Sequence, residues 1–217
     1  MPNFFMRTRM KSFALIISLS ILFFSGCAQK EPSVPAPIAV LVIPEVKDDT
    51  PVRNLIVTNA LSHLAKKDGN DCSGFVALVN KEALFPFFTA FDIEEHYEDS
   101  RRSLAIYNFL SDNNRTFEEN PKKGDLIFFA NTVKKYSKTK KPDNITHIGI
   151  VTHIDEDSTV HFMHNTRGIN KVGYINMNYP TSPVLNGKSI NSYMEKCHIN
   201  SHLCLSPSYF SAYGAIK

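Results

Sequence analysis

The sequence predicts an α+β domain, with helices first and an antiparallel β-sheet after them. Three observations carry that prediction. Apolar residues recur at helical spacing between Thr50 and Leu110, they gather into short runs and alternating pairs after Gly124, and no internal repeat interrupts the order. Helices followed by turn-linked strands are the pattern of a sheet packed against segregated helices.

The elements follow in order. Thr50-Pro51 opens a first helix, a capping hydroxyl followed by proline in the first turn. Val52, Leu55, Ile56, Leu61, Leu64 and Ala65 continue it, with Lys66 and Lys67 as its basic last turn and Gly69 as its stop. After Asn70-Asp71-Cys72-Ser73, the residues Phe75, Val76, Leu78, Val79 and Ala83 make a second helix that ends before Pro86. Phe85, Phe87, Phe88 and Phe91 form an aromatic cluster, read as core beneath a loop or as a wall touching substrate. Ser103 to Leu110 is a further helix. Lys122 to Asp125 is a turn leading into a buried strand, Leu126 to Phe129, and Thr146 to Ile154 is the next strand. Asp155 to Ser158 turns the chain into an alternating strand, Thr159 to Asn165. Val172 to Ile175 is short and strand-like, and Tyr209 to Ile216 closes the sheet.

The N-terminus belongs to another regime. Arg7, Arg9 and Lys11 precede a run from Phe13 to Phe24 that is short for a bilayer span but suits the core of a secretory signal. It ends in Ser25-Gly26-Cys27, which resembles a bacterial lipoprotein signal. That resemblance implies lipidation of Cys27 and removal of residues 1–26; an ordinary cleaved leader or a membrane anchor is the alternative. Ala28 lacks the aspartate associated with inner-membrane retention, so the expected place is the periplasmic face of the outer membrane, with the lipid as the membrane contact. Prolines at 32, 35, 37, 44 and 51 keep the next stretch extended. Residues 27–50 therefore read as a tether and 51–217 as one domain.

Charge excludes one class of partner. The chain has 24 basic and 21 acidic residues; without the leader's three cations the two balance, so no basic excess points to nucleic acid. The local run Lys134, Lys135, Lys138, Lys140, Lys141 lies in a stretch from Asn131 to Thr146. It reads as a solvated loop or as a cleft edge that attracts carboxylates. Of the four cysteines, Cys197 and Cys204 stand seven apart in a polar segment with His198 and His202. A disulfide, two free thiols and a metal site are all open to them.

Asp71-Cys72-Ser73-Gly74 sets a cysteine where a helix begins. Free backbone N–H groups and the positive end of the helix dipole favour a thiolate there, and the same groups suit a developing oxyanion. His147 opens an otherwise apolar strand beside Gly149, which leaves open space next to it. Val160, Phe162 and His164 share a face of the following strand, which brings His164 beside His147. Nucleophile, base and orienting group make the general arrangement for an activated nucleophile. His153 shares a face with His147 but lies about 20 Å along a strand from it, and His161 points away from His164. No metal site or cofactor is expected from these histidines, and neither His-Glu-x-x-His nor Gly-x-Ser-x-Gly occurs.

Four blocks in one order, Asp71-Cys72-Ser73-Gly74-Phe75-Val76, Gly124-Asp125-Leu126-Ile127-Phe128-Phe129, His147-Ile148-Gly149-Ile150-Val151 and Phe162-Met163-His164, resemble the NlpC family of papain-like cell-wall cysteine peptidases. The resemblance spans roughly Val52 to Tyr174. It implies a papain-like fold and a cysteine endopeptidase acting on peptidoglycan stem peptides. Cys72 would be the nucleophile, His147 the general base, His164 its orienting partner and Asp71 a brace of the turn. A related amidase and a wall-binding lipoprotein that has lost catalysis are the alternatives. The chain departs from the family in having no tyrosine before Tyr97 and a short glycine-rich stretch ahead of the cysteine.

Overall fold

The computed structural model describes residues 50–136, 141–195 and 202–216. Four helices come first, α1 (Thr50–Ser62), α2 (Cys72–Glu82), α3 (Ala90–Glu94) and α4 (Arg102–Asp112). The strands are β1 (Thr116–Phe117), β2 (Leu126–Ala130), β3 (Ile145–Ile154), β4 (Val160–Thr166), β5 (Ile169–Ile175), β6 (Val184–Leu185), β7 (Lys188–Ser189) and β8 (Phe210–Gly214). Six strands form one sheet in the order β1-β8-β2-β3-β4-β5, every pair antiparallel, while β6 and β7 form a separate hairpin. The class is α+β.

Alternation along the central strand explains how one sheet serves two layers. Leu126, Phe128 and Ala130 join Ile148, Ile150 and Met163 against the buried residues of α1, α2 and α4. Ile127 and Phe129 join Val151, Phe162, Ile175 and Tyr213 in a second cluster, where Met194, Tyr209 and Phe210 pack. All five residues of β2 are buried, as a strand covered on both faces requires. At its start Asp125 forms a buried ion pair with Arg53 of α1 (2.6 Å) and accepts the N–H of Lys122 (2.7 Å). The Gly-Asp block thus ties the first helix to the central strand.

Several expectations need correction. Helix α1 ends at Ser62, short of Leu64 and Ala65: Ala65 has a positive φ of 62° and donates its N–H to the Asn170 carbonyl (2.9 Å). That tertiary bond ends the helix, so Gly69 is not its stop. Gly69 (φ 79°) instead lies where a Cβ would fall 2.6 Å from the Phe75 backbone. The aromatic cluster divides. Phe87 and Phe88 are core, held by Asn80, which accepts the Phe87 N–H and donates to the Phe88 carbonyl, whereas Phe85 and Phe91 face solvent. Strand β5 begins at Ile169, earlier than the apolar pattern suggests. Helix α3, with its Thr89–Asp92 capping box, and the strands β1, β6 and β7 carry patterns too short to read. Helix α1 takes Thr50 from the expected tether; the leader and residues 27–49, Cys27 included, lie outside the described residues, as do Lys138, Lys140, Cys197 and His198.

Candidate active site

Cys72 is the first residue of α2, and the helix start is built around Asp71. The Asp71 carboxylate accepts the Gly74 N–H (2.7 Å) and the Ser73 hydroxyl (2.9 Å), and its carbonyl accepts the first intrahelical bond from Phe75 (2.9 Å). Capping takes the Gly74 N–H, while the backbone N–H groups of Cys72, Ser73 and Ile148 face the Cys72 sulfur closely enough to favour its thiolate. Ile148 follows His147 directly, so the nucleophile candidate rests on the same piece of β3 as the base candidate.

A bulge presents His147. Pairing steps from Phe129–His147 to Ala130–Ile145, which leaves Thr146 as an extra residue on β3. Its hydroxyl accepts the Thr132 N–H (2.8 Å) and bonds the Thr132 hydroxyl (2.9 Å), which pins the bulge. His147 Nε2 lies 2.7 Å from His164 Nδ1, with the rings edge to face at 5.0 Å. Phe129 flanks His147 and Phe162 flanks His164. The open space expected beside Gly149 is absent: a Cβ there would meet the Met163 carbonyl at 2.8 Å and the Phe162 ring at 3.1 Å. Gly149 lets β3 and β4 close, and that closeness makes the His147–His164 bond.

Cys72, His147 and His164 line one open cleft of about 700 Å³. Asp71, Tyr97, Arg102, Arg167, Tyr193 and Glu195 also face it. Thr132, Val133, Tyr136 and Thr146 bring the 131–146 stretch to its edge, while Lys134, Lys135 and Lys141 do not line it. Arg101 stacks on Tyr136 (4.6 Å), pairs with Asp99 and donates to Asn144, holding that edge in place.

Electrostatics keep the pair uncharged at rest. Burial pushes the Cys72 thiol up to about 11, against bonds from Ile148, Ser73 and Cys72 N–H groups that favour the thiolate. Burial pushes His147 down to about 4, and burial followed by the charge of His147 takes His164 well below its ordinary value. At neutral pH the site therefore holds a thiol and two neutral imidazoles. For His147 Nδ1 to accept a proton, Nε2 must carry one and donate it to His164 Nδ1, and the 2.7 Å contact allows that tautomer.

The other histidines lie elsewhere. A second bulge at Thr152 moves His153 off the face of His147, correcting the expectation that they share one, and pairs it with His161. Both rings contact Asp155, His153 at 3.2 Å and His161 at 2.9 Å, and His161 stacks on Tyr174. Among the described residues, no group of three or more His, Cys, Asp or Glu side chains is placed to hold a metal ion. Cys72 is a free cysteine and Cys204 is disulfide-bonded, which removes Cys204 as a thiolate ligand. Sequence reasoning missed Tyr97, Arg102, Arg167 and Tyr193, which reach the cleft from loops and helix ends, where no periodic pattern marks a side chain's direction.

No family model, curated protein or solved structure matches the chain.

Proposed function

We propose that this protein is a papain-like cysteine endopeptidase that hydrolyses an amide bond of the peptidoglycan stem peptide, held by lipid on Cys27 at the periplasmic face of the outer membrane. The observation that carries the catalytic part is the 2.7 Å contact between His147 Nε2 and His164 Nδ1, beside a free cysteine at a helix start in the same cleft. The substrate class rests on the resemblance of the four sequence blocks, and the location on the leader.

The chemistry follows from the atoms present. His147 Nδ1 takes the thiol proton as the sulfur attacks the amide carbonyl, so thiolate forms in the attack itself. Backbone N–H groups at the start of α2 receive the oxyanion as the sulfur turns from them to the carbonyl carbon. Collapse passes the proton from His147 to the leaving amine and leaves a thioester. Water activated by the same imidazole then hydrolyses it, releasing the acid and restoring the thiol. When His147 carries the proton, its Nε2–H bond to His164 becomes charge-assisted and stronger.

Purified full-length chain incubated with defined muropeptides, with products weighed by mass spectrometry, tests the reading. Cleavage within the stem is the expected result, and Cys72→Ala should abolish it while costing about 1 kcal/mol of stability. Release of the intact stem from the sugar would make the enzyme an amidase. Binding without turnover by the folded wild type would make it a wall-binding protein, and turnover by folded Cys72→Ala would remove the thiol from the mechanism.

A further inference from the structure

His63 does not line the cleft, yet it sits in a polar cluster that reaches the cleft residue Asn165. It follows the last residue of α1 and is buried at 7% exposure. Its Nδ1 lies 2.7 Å from the Asp68 carboxylate and its Nε2 2.9 Å from that of Glu82, at the end of α2. The edge of its ring packs against Phe75. An imidazole facing a carboxylate through both nitrogens satisfies both only when both carry protons, because the neutral ring has one donor and would turn a lone pair toward the other carboxylate.

The cluster extends to both halves of the catalytic site. Asp68 also accepts from Asn170 Nδ2 (2.5 Å), and its carbonyl accepts from Asn165 Nδ2 (3.2 Å). Asn165 follows His164, and its Nδ2 also donates to Asn170 Oδ1 (2.8 Å). Asn170 Nδ2 donates to the His63 carbonyl (3.1 Å), and two backbone bonds, Ala65 N–H to Asn170 and Asn170 N–H to Lys66, pin the loop to β5 (both 2.9 Å). That loop runs through Gly69 and Asn70, both at positive φ, into the Asp71 cap. The imidazole thus joins the C-terminal end of α2 to the loop entering that helix, and Asp68 and Asn170 carry the link on to Asn165, beside His164.

We infer that His63, clasped between Asp68 and Glu82, is a positioning residue: in its doubly protonated form it fixes the loop that delivers Cys72 relative to the β4–β5 hairpin that delivers His164. The inference rests on the proposed thiol chemistry only for its catalytic consequence. The titratable groups facing the ring are Asp68 from the loop and Glu82 from α2; Phe75 and the uncharged Asn170 complete its surroundings. Burial draws the imidazole down, but the hydrogen bonds to Glu82 and then Asp68 outweigh it and hold its pKa above the ordinary value. The clasp is therefore complete below pH 6.5 and opens as pH rises through the raised pKa. Burial draws His147 down to about 4 and pushes Cys72 up to about 11, so a step in turnover between those limits that moves when Glu82 is replaced belongs to His63.

The test uses full-length chain in detergent, as wild type, His63→Gln and Glu82→Gln. NMR of the ring nitrogens should find His63 doubly protonated at pH 6, and Glu82→Gln should move its deprotonation to lower pH. Amide exchange at Ala65 and Asn170 should be faster in His63→Gln at pH 6 and should converge with wild type at high pH. Muropeptide kcat should fall about tenfold in His63→Gln at pH 6, the size expected for a sub-ångström misplacement, with KM unchanged. The wild type's step as pH rises through the raised His63 pKa should be absent in that variant and shifted downward in Glu82→Gln, whose exposed site keeps the variant foldable. A neutral His63 ring at pH 6, or identical pH profiles of kcat and exchange across the three proteins, would overturn the inference. Wild type that cleaves nothing, with the NMR and exchange results as expected, would instead overturn the peptidase reading and leave the clasp standing.

Discussion

At the scale of single residues, the site depends on which way each imidazole is turned. His164 Nδ1 occupies His147 Nε2, so His164 sets the tautomer of the proposed base. His161, three residues away, spends its Nε2 on Asp155 and its ring face on Tyr174. His164→Ala should therefore lower muropeptide turnover by roughly a hundredfold, the usual size of an acid–base contribution, while His161→Ala should leave it within about twofold of wild type. The reverse order would mean that His147 is oriented by another group. A second consequence is acid sensitivity. The folded pKa of His147 is depressed to about 4 by burial, so the unfolded chain takes up its proton first as pH falls. The stability this contributes is fully present above 6.5 and is lost as pH drops toward 4. Urea unfolding at pH 7 and pH 5 should show a larger loss for wild type than for His147→Asn, which does not titrate; parallel losses would mean that the imidazole is solvated.

At the scale of elements, the approach of the loop to α2 decides how Cys72, the proposed nucleophile, is presented. A Cβ on Gly74 would stand 1.8 Å from the Gly69 carbonyl oxygen. That neighbour is backbone, so no rotamer change relieves the overlap. Gly74→Ala should cost about 1–3 kcal/mol by overpacking and should depress turnover beyond that loss, because the loop must move away from the Asp71 cap. Thermal unfolding read beside turnover per folded molecule checks this, and a variant with normal activity would show that the loop yields without disturbing Cys72. The elements themselves divide by legibility. Helix α2, strands β2, β3 and β4 and the Cys72, His147 and His164 positions could be read because apolar spacing and turn residues are local signals. The early end of α1 could not, because it is set by a bond from Ala65 to Asn170, more than a hundred residues away. The bulges at Thr146 and Thr152 were equally hidden, since each depends on strand register rather than on residue type. The second of them reversed the expected face of His153.

At the scale of the whole molecule, the proposed chemistry and the proposed anchoring fall in different parts of the chain. Every group in the proposed reaction lies between Asp71 and His164, inside the unit packed around the six-stranded sheet. The proposed membrane attachment rests on Cys27, separated from α1 by a stretch with prolines at 32, 35, 37 and 44. If that division holds, the lipid sets where the enzyme works and contributes nothing to how it works. Cys27→Ser should then abolish incorporation of a fatty-acid probe in cells, since the thiol that would carry the lipid is gone. The purified variant should still turn over soluble muropeptides at the wild-type rate, because no atom of the Cys72–His147–His164 site has changed. Its effect on intact cell walls should fall, since the anchor that confines the wild type near the wall is missing. Equal labelling of wild type and variant would remove Cys27 as the lipid site. Loss of turnover on soluble muropeptides would couple the N-terminal stretch to the cleft, and the division between anchor and catalyst would have to be redrawn.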